Sequence, residues 1–284
     1  MTVCFIADNP ETTRHPVIGA VLERLRVKHE VRLLDVQALS GDEAIALEDF
    51  DPPADIYLLK SHASQALEVA HHLEQRGALV VNSWASSSAC RDRSLMTLRM
   101  TEARLPWPRT WNLSPSDSLP RQREILSALP FPLVLKSRCS YRGDLVVKVH
   151  DVEHLEALTR SRKHEAFILQ DFVLGDGADI KLWVVGDQVF AARRRTTLDA
   201  KLAESFPLPA EMLSSDWRSL ALEIGRVFDL RLYGVDLLTT KDGPVVVDVN
   251  SFPGFRGVAG AVSALVALIE NLAASRLSVR ERTT

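Results

Sequence analysis

Cysteine is scarce in this chain. Cys4, Cys90 and Cys139 are the only three in 284 residues, widely separated and odd in number. That excludes a disulfide framework and the paired spacings of a zinc site, and makes a reducing cytoplasm the expected compartment. Charge of one sign is also missing. A net charge of −3 and a pI near 6.3 exclude the general basic footprint of a nucleic-acid binder or of a protein drawn to anionic membranes. No apolar run reaches membrane-spanning length; the longest, 258–272, reads as a packed helix. Residues 1–7 lack the basic flank and cleavage pattern of a signal peptide and stop at Asp8-Asn9-Pro10. There are no repeats, no low-complexity segments and no GxxxxGK[ST] phosphate loop. A composition of 46% hydrophobic and 25% charged residues remains, which fits a globular protein, and the length suits two or three small lobes.

The most informative stretch is RLYGVDLLTTKDGPVVVDVNSFPGFRG, residues 231–257. Two strand-like runs, 232–238 and 245–249, flank a Lys-Asp-Gly turn signal, which predicts a β-hairpin. Strand alternation puts Asp248 and Asn250 on one face, and antiparallel pairing brings Asp236 beside them. Burying bare carboxylates is costly unless they are paired or bind a cation. Two carboxylates and an amide oxygen suit a hard cation such as Mg²⁺, which leaves room for phosphate oxygens. Pro253-Gly254 and Gly257 then turn the chain into the 258–272 helix.

The first third alternates strand and helix. Strands are expected at 3–6, 31–34, 56–59 and 79–81, and helices at 16–25 and 64–74. This pattern implies a mostly parallel sheet with helices on its faces, hence an α/β fold. A helix is expected over 91–103, then an extended passage at Pro106-Trp107-Pro108, and a further helix over 120–129. Strands follow at 133–136, 145–149 and 166–173, with a helix at 152–160. The last lobe carries a hairpin, 179–185 with 189–194, and a helix capped by Ser215 or Asp216. After residue 275 the charged tail is expected to be loose. Three lobes result: 1–88, 89–174 and 175–284.

Lys136 ends a wholly apolar strand, so its charge must reach water or an anion. The loop after it, 137–144, is rich in small and basic residues, Arg138 among them, and suits a cover over phosphates. Of Arg193-Arg194-Arg195, one on the inner face would stabilise a phosphoryl group in transfer: Arg194, or Arg195 if the register shifts by one. Lys60 and His62 follow a strand end, where ligands of open α/β sheets bind, and Asn9 follows another. With Arg138 they are the candidates for holding an acceptor substrate.

The hairpin resembles the closing motif of the ATP-grasp superfamily, in which an acid on one strand and Asp/Glu-x-Asn on the next precede a proline-glycine turn. The resemblance runs in order over about 80–270 and implies an ATP-grasp fold behind an N-terminal open parallel-sheet lobe. It implies ATP and Mg²⁺ (or Mn²⁺) as cofactors, with Asp236, Asp248 and Asn250 as the metal set. It gives Arg93 and Lys136 to the phosphates, Gln170, Asp171, Phe172 and Val173 to the adenosine, and Asp179 and Lys181 to the phosphate neighbourhood. With Arg194 or Arg195, Lys181 is also expected to stabilise charge during transfer. The nearest group is the RimK-like carboxylate–amine ligases, echoed by Asn82-Ser83, Asp92-Arg93 and Pro108-Arg109-Thr110. The ATP-grasp inositol polyphosphate kinases are the alternative, because Asp248 stands where the ligases usually carry Glu. The chain lacks those kinases' lysine pair after the first strand and their loop histidine, and a ligase needs no polyphosphate pocket. A ligase working through an acyl phosphate, with release of ADP and phosphate, is therefore the expectation. Its partners are ATP and a small acceptor, with no nucleic acid or membrane, and a homo-oligomer is compatible with this reading.

Overall fold

The structure, a computed structural model, describes residues 1–38, 53–113, 126, 128–141, 144–176, 179–195, 204–209 and 212–283. The expected helix over 120–129 lies almost wholly outside the described residues. The chain is mixed α/β, and its described residues form three sheets.

The first sheet is parallel, in the order β2-β1-β3-β4: β1 Thr2–Ala7, β2 Glu30–Asp35, β3 Ile56–Leu59 and β4 Val80–Val81. Every residue of β3 is buried, as a strand covered on both faces requires. Helix α1 (Pro16–Arg26) covers one face with Val17, Ile18, Val21, Leu22 and Leu25. Helix α2 (Ser64–Gln75) covers the other with Ala66, Leu67, Val69, Ala70 and Leu73.

Two helices follow where the sequence pattern suggests one. Helix α3 (Trp84–Arg91) is capped by Ser83, whose hydroxyl accepts from the Ser86 amide, and α4 (Arg93–Glu102) starts afresh at Asp92. Asp92 is extended, and its carboxylate accepts from the amides of Ser94 and Leu95 at 2.9 and 3.4 Å. The expected start at Arg91 is thus corrected. The inward face of α3 consists of Ser86, Ser87, Ala89 and Cys90, which carry no apolar periodicity.

The middle sheet is antiparallel, β5-β8-β6-β7: β5 Thr110–Leu113, β6 Leu133–Ser137, β7 Val146–Val149 and β8 Phe167–Asp171. Helix α5 (Val152–Thr159) packs Leu155 against it. Strand β8 ends at Asp171, so Phe172 and Val173 lie beyond it.

The third sheet is antiparallel, β11-β10-β9-β12-β13: β9 Asp179–Val185, β10 Gln188–Arg195, β11 Glu204–Leu208, β12 Leu232–Thr240 and β13 Gly243–Asn250. Helix α6 (Ser215–Phe228) covers one face with Ala221, Ile224 and Phe228. Its cap is Ser214, one residue before the expected pair; that hydroxyl accepts from the Asp216 amide. Helix α7 (Ala261–Thr283) packs on the other face and against α1, where Arg24 donates to the Ser263 hydroxyl at 2.8 Å. The tail is therefore helical rather than loose, and no Gly or Pro interrupts it between residues 261 and 283.

The contact between α6 and β12 depends on a missing side chain. A Cβ on Gly225 would press on the Tyr233 hydroxyl and lie 2.7 Å from its Cζ. That hydroxyl donates to the Ala221 carbonyl at 2.7 Å from a fully buried ring, so it has no room to retreat. Gly225→Ala should therefore cost about 2–3 kcal/mol, as overpacking does, measurable as a lower denaturant midpoint at unchanged slope.

Candidate active site

The site begins with one rung of the third sheet. Ala192, Lys181, Asp236 and Asp248 are direct cross-strand partners across β10, β9, β12 and β13. Two residues along, Gly234 pairs with Asn250. The hairpin thus sets Asp236 opposite Asp248 with Asn250 on the same face, the arrangement expected from alternation. Like charges directly opposite each other destabilise a ladder, so the pair requires cations.

Those cations are present. Lys181 Nζ lies 2.7 Å from Asp236 Oδ2, and Arg194 approaches Asp236 Oδ1 to 3.9 Å while lying over the Trp183 ring. Gly234 leaves the space that the Lys181 chain crosses, since a Cβ there would meet Lys181 Cε at 3.2 Å. Arg93, buried at the start of α4, donates to the Ser137 carbonyl at 2.7 Å and pairs with Asp144 at 2.8 Å. Its Nε lies 4.0 Å from Asp248 Oδ1, and among the described residues neither of these buried atoms has a hydrogen-bond partner. Of the three arginines, Arg194 is the one seen at the hairpin. Arg193 lies 3.9 Å from Asp176, and the Arg195 side chain lies outside the described residues.

Lys136 arrives from the middle sheet and donates to the Val247 carbonyl at 2.8 Å. A β-bulge explains why that carbonyl is available. The register shifts between Asp236, opposite Asp248, and Leu237, opposite Val246, which makes Val247 the extra residue of β13. Burial pushes the Lys136 ammonium down, Asp248 opposes the fall, Arg93 adds to it, and Asp236 and Asp144 oppose it; the net value is about 8. The resemblance gives Lys136 to the phosphates, and in that role its protonated form is the one that would attract them. Nucleotide affinity would then fall as pH rises through about 8, and Lys136→Arg would remove that fall; titration calorimetry from pH 7 to 9 reads both. Lys136 acts on stability in the opposite direction. Its folded value lies below the ordinary 10.5, so its contribution to stability rises with pH between about 8 and 10.5.

The loop after β6 crosses to the first sheet. The Tyr141 hydroxyl donates to Asp8 at 2.9 Å. Arg138 grips Asp92 with three bonds of 2.7–3.1 Å, and Arg93 N donates to the Arg138 carbonyl at 2.9 Å. Arg142 and Gly143 lie outside the described residues.

The expected adenosine residues lie at the end of β8. Gln170 is buried and donates to the Thr110 hydroxyl at 3.0 Å, Asp171 pairs with Arg109 at 2.8 Å, and Lys148 lies 3.9 Å over the Phe172 ring. Val173 follows Phe172, outside any strand. Asp179 starts β9 opposite Arg194 and Leu238.

On the acceptor side, Lys60 Nζ donates to the Phe252 carbonyl at 2.8 Å and lies over that ring. His62 Nε2 lies 3.1 Å from the Ser251 hydroxyl. Burial, with Lys60 and Arg91 adding to it, pushes His62 down to about 4, so it is neutral at neutral pH. Asn9 caps the short 3₁₀ turn Pro10–Arg14 by accepting from the Glu11 amide. The structure thus brings Lys60 and His62 to the turn after the hairpin and gives Asn9 a local capping bond. A cavity of about 560 Å³ beside α4, lined by Thr97, Arg104, Trp107 and Arg109 among others, meets the expected adenosine residues through Arg109 and Thr110, the partners of Asp171 and Gln170.

Asn82 ties the end of the first sheet to the two ends of the β12–β13 hairpin. It is buried, donates to the carbonyls of Leu232 (2.6 Å) and Ser251, and accepts from the amides of Arg231 (2.8 Å) and Leu232 (3.3 Å).

The RimK-like ATP-grasp domain matches residues 114–270, more than half of the chain. The chain belongs to the RimK-like ATP-grasp family. A probable alpha-L-glutamate ligase of Shewanella loihica is 31% identical over 211 residues, spanning 70% of this chain and 68% of that protein. A RimK domain ATP-grasp protein of Sphaerobacter thermophilus superposes with a TM-score of 0.74 at 22% identity, over 96% of this chain and 99% of that one. D-alanine–D-alanine ligase of Bacillus anthracis, solved with ATP, gives 0.74 at 18% identity over the whole of both chains. These two structures establish the ATP-grasp fold. The RimK-like membership places the chain in a family of ATP-dependent ligases.

Proposed function

We propose that this protein joins a carboxylate to an amine at the expense of ATP, at the face formed by Asp236, Asp248, Asn250, Lys181, Lys136, Arg93 and Arg194. The convergence of four cations on a facing carboxylate pair is the observation that carries this reading. The donor set fits a divalent cation: two carboxylates and an amide, all hard oxygens, with Asp248 Oδ1 buried and unpartnered. Bound there, Mg²⁺ or Mn²⁺ would neutralise phosphate charge.

A substrate carboxylate oxygen attacks the γ-phosphorus and ADP departs; the amine then opens the acyl phosphate and inorganic phosphate leaves. Lys136 and Arg93 hold the phosphate oxygens, and Lys181 and Arg194 offset the charge that builds up during transfer. The segment from Gln170 to Val173 carries the adenosine. The acceptor lies between the ends of β1 and β3 and the turn after β13, toward Lys60 and His62. At His62 the amine meets a neutral imidazole. The Lys60 ammonium is already engaged by a carbonyl and a ring, which favours a ligase over a kinase with a polyphosphate acceptor.

Hydroxylamine tests the intermediate. With ATP and a carboxylate substrate but no amine, it should be converted to a hydroxamate. ATP consumption with every carboxylate offered and no hydroxamate would rule out the acyl phosphate.

A further inference from the structure

The two carboxylates of the hairpin each face a cation, Asp236 in direct contact and Asp248 without a hydrogen bond at its Oδ1 among the described residues. Lys181, with a side chain 8% exposed, sits 2.7 Å from Asp236, and the Arg93 guanidinium faces the buried Oδ1 of Asp248 at 4.0 Å. We propose that Lys181 and Arg93 act as built-in counter-ions which close the hairpin to a free divalent cation, so that the site takes the metal only as its complex with a nucleotide. This rests on the metal–nucleotide reading of the hairpin given above.

Charge and geometry both point this way. A free dication arriving at Asp236 must displace Lys181, and a buried ammonium without its carboxylate is strongly unfavourable. The Lys181 chain runs across Gly234, with Pro253 also beside that glycine, and little of it reaches water. Four cations, Lys136, Lys181, Arg93 and Arg194, already face the carboxylates Asp144, Asp236 and Asp248, with Asp179 opposite Arg194 on the ladder, so an extra dication adds charge that these side chains do not call for. A metal–nucleotide complex reverses the balance. Its phosphates supply the anion Lys181 needs when it releases Asp236, and they complete a ligand set that the protein leaves short. Among the described residues no group of three His, Cys, Asp or Glu side chains stands together. Metal and nucleotide affinities are then coupled, each raising the other by the same factor.

Mn²⁺ binding by the full chain, followed by electron paramagnetic resonance with and without a non-hydrolysable ATP analogue, tests this. The parent protein should bind Mn²⁺ about 10- to 100-fold more tightly when the analogue is present, the range of ordinary site–site coupling. Lys181→Gln should raise the nucleotide-free affinity about tenfold and shrink the gain by the same factor, since one coupling underlies both. Lys181→Met, which keeps the buried stem without the charge, serves if the glutamine variant does not fold, and Lys181→Arg should behave as the parent. Equal Mn²⁺ affinity with and without nucleotide in the parent would overturn the proposal. So would a charge-free variant whose nucleotide-free affinity is unchanged or weaker. If instead Asp236→Asn and Asp248→Asn leave nucleotide-dependent Mn²⁺ binding intact, the hairpin is not the metal site, and the reading beneath the proposal fails.

Discussion

Asp248→Asn should lower turnover by roughly 10²–10³-fold or more, the cost of losing a charge-stabilising group at a reacting centre, with a much smaller effect on stability, where two electrostatic effects of opposite sign meet. The two halves of this expectation have separate physical sources. Asp248 stands opposite Asp236 on the ladder, and its Oδ1 is buried without a hydrogen bond, so the folded state gains little from it. Neutralising it relieves that repulsion and removes a counter-charge from Arg93 and Lys136, two effects of opposite sign. The amide keeps the shape. Steady-state kinetics alongside a thermal melt will check both. Turnover within a few-fold of the parent would remove Asp248 from the machinery, and a large loss of stability would make it a structural acid.

Asn82→Ala should have the largest effect on stability. One buried amide satisfies the carbonyls of Leu232 and Ser251 and the amides of Arg231 and Leu232. Removing it leaves four backbone groups without their partner in a buried place. At ~1–3 kcal/mol for each group stranded, the loss should reach about 4 kcal/mol or more. In a chain of this size that corresponds to a fall in melting temperature on the order of 10 °C. Turnover should fall beyond what the unfolded fraction explains, because Leu232 opens β12 and Ser251 follows β13, the strands that carry Asp236 and Asp248. A variant that melts within 2–3 °C of the parent, a shift that corresponds to only about 1 kcal/mol, would show that water replaces the amide.

Much of this was legible in the sequence. The hairpin stood out because strict alternation around a Lys-Asp-Gly turn fixes which side chains share a face, and Asp236 does pair with Asp248. Lys136 stood out because an ammonium at the end of a buried strand must have a partner. The bulge at Val247 was hidden, since VVVDVN reads as unbroken alternation and the slip appears only in the pairing. Strands β5 and β11 were missed. TWNL and ESFPL are short and poor in β-branched residues, and their strand character comes from β8 and β10 beside them. Helix α3 was missed because it buries serine, alanine and cysteine. The Lys181–Asp236 pair was not visible as a contact. It depends on β9 lying beside β12, and 46 residues separate the end of one from the start of the other in sequence.

Ligation itself can be read directly from products. The protein is incubated with Mg-ATP and with pools of carboxylates, amino acids, dipeptides, hydroxy compounds and cyclitols, and nucleotide, phosphate and product mass are followed together. Carboxylate–amine ligation predicts ADP and inorganic phosphate only when a carboxylate and an amine are both present, with a product equal to their summed mass less one water. A product heavier by one phosphoryl group on a hydroxyl compound, or AMP in place of ADP, would contradict it.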